Sequence, residues 1–119
     1  MAYHINESEY RFMEILWEEA PVNSMELVRI CAERLDWKKS TTYTVIRKLC
    51  QKQVVKNEDA VVCPLVTRDC IQKQESNDFL NKKFGGSLPS FINAYLKDKK
   101  LTKDEAEKLK KLIQEAEEN

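Results

Sequence analysis

The sequence has little of what a catalytic, secreted or membrane-spanning chain needs. Its one histidine, His4, stands at the start, where ordering is least assured, and is incidental rather than catalytic. No H-E-x-x-H, G-x-S-x-G or phosphate-loop motif occurs, and no base–nucleophile pair is visible, so no enzyme is expected. Two glycines and three prolines are too few for a turn-dense β-sandwich. The longest apolar run, Ala60 to Val66 with Pro64 inside it, is far too short to cross a bilayer, and no direct membrane association is expected. The opening Met-Ala-Tyr-His-Ile-Asn-Glu has no basic stretch before an apolar core, so no secretory leader is expected and the location is read as cytoplasmic. Cys31, Cys50, Cys63 and Cys70 form no C-x-x-C pair. They are read as reduced, buried small hydrophobes, with no metal site and no cofactor. Oxidant or metal sensing by these thiols is the alternative.

Net charge is also missing: 20 basic residues balance 20 acidic ones. The distribution is uneven, however. Residues 1–28 hold six acids and one base, Arg11, whereas residues 38–56 hold Lys38, Lys39, Arg47, Lys48, Lys52 and Lys56 and no acid. A basic block on one structural unit is the electrostatic footprint of a nucleic-acid site. Lysines on a solvated helix face are the plainer explanation of the same count.

Hydropathy patterning places that block. Asn6 with Glu9 forms a capping box that opens a first helix, with Phe12, Met13, Ile15, Leu16 and Trp17 as its apolar face and Pro21 after its end. A second helix starts near Asn23 or Ser24, with Glu26 as the box partner, and carries Leu27, Val28, Cys31, Ala32 and Leu35. After Asp36-Trp37-Lys38-Lys39 a third begins near Ser40, with Thr42, Val45, Ile46, Leu49 and Cys50 inward and a cap among Ser40, Thr41 and Thr42. The period then turns extended: Val54-Val55-Lys56, a turn at Asn57-Glu58-Asp59, and Ala60–Cys63. Three helices and a small hairpin make a winged helix-turn-helix, a mainly α fold; any small helical domain with one hairpin is the bland alternative.

From Thr67 the chain is helical again, broken at Gly85-Gly86, restarted from Pro89 to about Lys97, and restarted by Thr102 with Glu105. Domains are therefore set at 1–67, winged helix, and 68–119, a helical dimerisation arm. Phe79, Phe84, Phe91, Ile92, Tyr95, Leu96, Leu109, Leu112 and Ile113 are too few to bury a core alone, and a second copy of the chain is the natural cover. Packing back onto the same chain is the alternative.

In a helix-turn-helix the second helix of the motif enters the major groove. Its exposed positions here are Lys39, Ser40, Thr41, Tyr43, Thr44, Arg47 and Lys48. Hydroxyls suit phosphates and base edges, Arg47 suits a bidentate guanine contact, and Lys48, Lys52 and Lys56 suit phosphates. An acidic wing tip, Asn57-Glu58-Asp59, does not suit the DNA backbone.

The stretch Trp37-Lys-Lys-Ser-Thr-Thr-Tyr-Thr-Val-Ile-Arg-Lys-Leu49 resembles the recognition helix of the penicillinase and methicillin-resistance repressors, the BlaI/MecI type. The resemblance to these repressors extends to Ile5–Trp17, Phe79–Gly86 and Leu101–Leu109, in the same order. The resemblance implies a homodimeric winged-helix repressor on a palindromic double-stranded DNA operator. It implies threonines at Thr41 and Thr44 in the recognition helix, and release by cleavage in the C-terminal part through a membrane-bound metalloprotease sensor system. The family's Asn-Phe scissile bond aligns near Ala94-Tyr95, with Asn93 one place earlier. Lys52-Gln53 stands where the family has a basic residue and Gly, and Gln114–Asn119 lacks the cysteine cluster of copper-responsive relatives. A winged helix that docks an acidic protein partner, without DNA, is the alternative function.

Overall fold

A computed structural model describes residues 3–117; Met1, Ala2, Glu118 and Asn119 lie outside it, and so do the parts of the leader and cysteine-cluster expectations that rest on them. The chain divides into two compact units after Ser76.

The first unit is a winged helix. Helices α1 (Glu7–Glu19), α2 (Ser24–Leu35) and α3 (Lys39–Gln51) are followed by strands β2 (Val55–Glu58) and β3 (Val61–Pro64), with a two-residue β1 (Val22–Asn23) ahead of α2. Asn6 and Glu9 close the expected capping box on α1. At α2 the Asn23 side chain accepts from Met25 N–H, and Glu26 turns to Arg29 instead of completing a box. Helix α3 starts earlier than the hydroxyl run implies: Lys38 is its N-cap, with no side-chain cap bond, so Ser40 and Thr41 lie inside the first turn and are exposed.

The sheet is antiparallel in the order β1-β3-β2. Val55 faces Pro64 and Asn57 faces Val62, while Val22 pairs with Val62 on the other side. A two-residue strand carries too little periodicity to be seen in sequence, which is why β1 was not anticipated. The turn is Asp59-Ala60, both at positive φ, so Asn57 and Glu58 belong to the strand rather than to the turn. Positive φ at both central residues gives the turn whose twist suits a hairpin.

Phe12, Met13, Leu16, Leu27, Cys31, Leu49, Val54, Val62 and Ile71 are fully buried in one core. Each such side chain contributes roughly 1.5–3 kcal/mol if large. Trp37 stacks flat on Phe12 at 6.4 Å between ring centroids, and Trp17 Nε1 donates to the Val66 carbonyl at 2.9 Å, so both tryptophans close helix junctions. Helix α4 (Arg68–Phe84), capped by Thr67 through Cys70 N–H at 3.1 Å, lends Ile71 to this core; the packing unit therefore runs past the helix start at 67/68.

In the second unit, Gly85 and Gly86 both hold positive φ, and a Cβ on Gly86 would stand 3.1 Å from Asn81 Oδ1. Helices α5 (Leu88–Leu96) and α6 (Lys103–Glu117) follow. Phe79, Phe84, Phe91 and Tyr95 form a chain of ring contacts at 5.4–6.0 Å. No residue of α5 or α6 is buried, and Phe79, Leu88, Tyr95, Leu112 and Ile113 are 47–62 % exposed.

Candidate nucleic-acid interface

Helix α3 is held by its inner face. Thr42, Val45, Ile46 and Leu49 are buried at helical spacing, which forces Lys39, Ser40, Thr41, Arg47 and Lys48 outward. Tyr43 and Thr44 are half-buried, Tyr43 packing against the core edge with Lys39 Nζ 6.0 Å from its ring centre. The αL residue Asp36 turns the chain between α2 and α3, a conformation that short polar side chains tolerate.

The electrostatics of this face differ from those of α1 and α2. Arg11 pairs with Glu7, Arg29 with Glu26 and Glu33, and Arg34 with Glu18 and Glu19. Among the described residues no carboxylate pairs with Lys38, Lys39, Arg47 or Lys48. The cations of α1 and α2 are thus neutralised locally, while those of α3 stand open to an anionic partner. Beside them a cleft of about 350 Å³ opens between Asn6, Ser8 and Glu9 of the α1 start and Ser40, Thr41, Thr44 and Lys48 of α3. Neither Asn6 nor Ser8 is among the residues expected here: in sequence Asn6 reads only as a cap, and Ser8 carries no signal.

Of the expected phosphate contacts, one is held by other groups and one has an exposed carboxylate at the limit of its reach. Lys52, at the C-cap of α3, donates to Glu9 Oε1 at 2.6 Å and to the His4 carbonyl at 2.8 Å. Lys56 lies 4.0 Å from Glu58. Alternation along a strand and the reach of a lysine stem set these pairings, and neither shows in a count of charges.

The cysteines correct a further expectation. Only Cys31 is buried; Cys50 and Cys63 are half-buried and Cys70 is exposed. Burial pushes the Cys31 and Cys50 thiols above their ordinary pKa, with the Thr42 hydroxyl beside Cys31 opposing the shift.

The penicillinase repressor family model matches residues 5–115, through both compact units. The chain belongs to that family. It is similar to the methicillin resistance regulatory protein MecI of Staphylococcus aureus (strain Mu50 / ATCC 700699), 25% identical over 115 residues, or 93% of this chain and 94% of that protein. The penicillinase repressor of Bacillus licheniformis is 22% identical over 115 residues, covering 93% and 90%. An uncharacterized 16.5 kDa protein of Latilactobacillus sakei is 38% identical over 61 residues, covering 49% and 42%. Penicillinase repressor family members are regulatory DNA-binding proteins rather than enzymes, and the winged helix is the matching fold. No helix among the described residues is long and apolar enough to cross a membrane.

Proposed function

We propose that this protein is a dimeric, sequence-specific transcriptional repressor that binds a palindromic operator and blocks transcription sterically. The observation that supports it best is the row of unpaired cations on α3, in a unit whose other arginines on α1 and α2 are matched by glutamates. Lys39, Ser40, Thr41 and Lys48 hold the backbone, Thr44 and Arg47 read base edges, and Tyr43 supports the helix from its half-buried position. Domain 1–67 carries this work, and 68–119 pairs two copies so that their recognition helices enter grooves about 34 Å apart.

The pairing surface is the exposed apolar set on α4, α5 and α6, with a groove of about 380 Å³ between Phe91, Ile92, Tyr95 and Leu96 of α5 and Leu109 and Leu112 of α6. Ile113, Phe79 and Phe84 extend it. Release comes from cutting or unpacking this arm, through a membrane-bound metalloprotease sensor system acting at Asn93-Ala94 or Ala94-Tyr95, both exposed on α5.

Fluorescence anisotropy against the duplex upstream of the coding region, with a scrambled duplex as control, tests the proposal. Salt-dependent binding at least ~10³-fold selective is the expected result. Equal weak binding to both, followed by failure of a random-sequence selection to enrich any site, refutes it. The acidic wing tip, Glu58-Asp59, favours the second reading, a winged helix docking another protein; that reading requires no DNA binding at any salt and partner choice insensitive to Thr44→Ala.

A further inference from the structure

The chain ahead of α1 is fastened to two other elements. Tyr3 N–H donates to Gln74 Oε1 at 2.8 Å, and Gln74 Nε2 donates back to the Tyr3 carbonyl, which fixes the segment to the first half of α4. One residue later the His4 carbonyl accepts from Lys52 Nζ at 2.8 Å, at the C-terminal end of α3. The same ammonium bonds Glu9 Oε1 at 2.6 Å, an oxygen that also accepts Asn6 N–H at 2.8 Å. Glu9 is 1 % exposed, and its Oε2 has no partner among the described residues. The Lys52 ammonium is the cation that the structure sets against this buried side chain.

We propose that residues 3–6 act as a belt that couples α4 to the recognition helix, and that Gln74 and Lys52, which anchor it at Tyr3 and His4, are positioning residues for operator binding. The proposal rests on the DNA-binding reading above and changes the role of Lys52: its ammonium holds α3 in place instead of clamping a phosphate. Fixing the C-terminal turn of α3 preserves the angle at which the helix meets the groove. The same belt ties that angle to α4, the helix that leads into the arm. Because the two anchors lie in series on one segment, releasing either end frees the same constraint. Coupled contacts of this kind are non-additive, whereas independent ones multiply their effects.

The test uses the full chain with Gln74→Leu, with the paired exchange Glu9→Gln and Lys52→Met, and with all three together. The paired exchange avoids leaving a buried carboxylate alone, so that the variant is not simply unfolded. Each single cut should lower operator affinity by about fivefold, the worth of roughly one hydrogen bond. All three together should also cost about fivefold, not the about 25-fold of independent contacts. The slope of log affinity against log salt should stay unchanged, because no phosphate contact is lost. Amide exchange in residues 71–76 should quicken in the Glu9→Gln, Lys52→Met variant, although neither replaced side chain hydrogen-bonds to α4. Multiplicative losses, a slope reduced by about 0.9 for each Lys52 removed, or unaltered exchange in α4 would each overturn the belt. If the wild-type protein selects no operator at all, the DNA-binding reading fails, and the exchange experiment still decides for or against the belt.

Discussion

Replacing Lys48 by alanine tests the interface through charge alone. The ammonium stands exposed beside the Ser8–Thr44 cleft and has no carboxylate partner among the described residues, so its loss leaves the fold within about 0.5 kcal/mol. A dimer carries two copies. If each lies on a phosphate, the salt slope of operator binding falls by about 1.8, from about 0.9 per contact. Over a fourfold rise in salt, from ~50 to ~200 mM, the affinity ratio of wild type to variant then shrinks by about 12-fold. Binding to scrambled duplex should weaken by the same factor, because a phosphate contact carries no sequence information. Arg47→Ala serves as the contrast: it should relax discrimination at one base pair per half-site by about 1–3 kcal/mol while random duplex is less affected than by Lys48→Ala. Anisotropy titrations at four salt concentrations measure both. A Lys48→Ala variant with the wild-type slope would refute the placement of this cation on the backbone.

Truncation after Lys97 removes α6 and half of the groove wall, while the core of the first unit is untouched. The product should be folded, monomeric by light scattering and weak in operator binding; a tight dimeric product would contradict the arm's role. Ala60→Gly should raise stability by about 0.5 kcal/mol in urea titration, since relief of about 1–2 kcal/mol of left-handed strain exceeds the 0.5–1 kcal/mol entropy cost of glycine. No gain would mean that the Asp59-Ala60 turn is not strained. In alkylation followed by mass spectrometry, Cys70 should react first. Cys31 and Cys50 should lag, because a raised thiol pKa lowers the thiolate fraction at any pH below it, and the lag at Cys50 should narrow as pH rises.

Much of the fold was written in residues three or four apart. Asn6 with Glu9, Thr67 before α4, the paired glycines, and the spacing of Val45, Ile46 and Leu49 each act within one turn of chain, and each appears where the sequence places it. What stayed hidden depends on partners far apart in sequence. β1 exists because Val22 and Asn23 meet Val62 and Val61, 38 to 40 positions away. Lys52 meets Glu9, 43 positions earlier and buried beside it, a pairing that no local pattern announces. Cys70 is exposed although its neighbours in sequence include Ile71, since one helix position turns Ile71 to the core and its neighbour to water.

The neutral total charge has a consequence for how such a repressor is regulated. With 20 bases against 20 acids there is no global positive field to draw the protein to DNA, so in the proposed dimer affinity would rest on the few open cations of each α3. Three or four phosphate contacts give a weak, strongly salt-sensitive attachment for one winged helix. A second winged helix on the same arm turns the second contact into an intramolecular event, with a gain of ~10²–10⁴ from tethering alone. On the proposed reading, separating the arm would forfeit that gain without altering any residue assigned to DNA. In the proposed dimer, an arm whose α5 and α6 bury no residue of their own would be a weak joint by the same physics: each copy would depend on its cover, and one cut in α5 would remove it. A more basic chain would bind tighter as a monomer and would therefore respond less when its arm is broken.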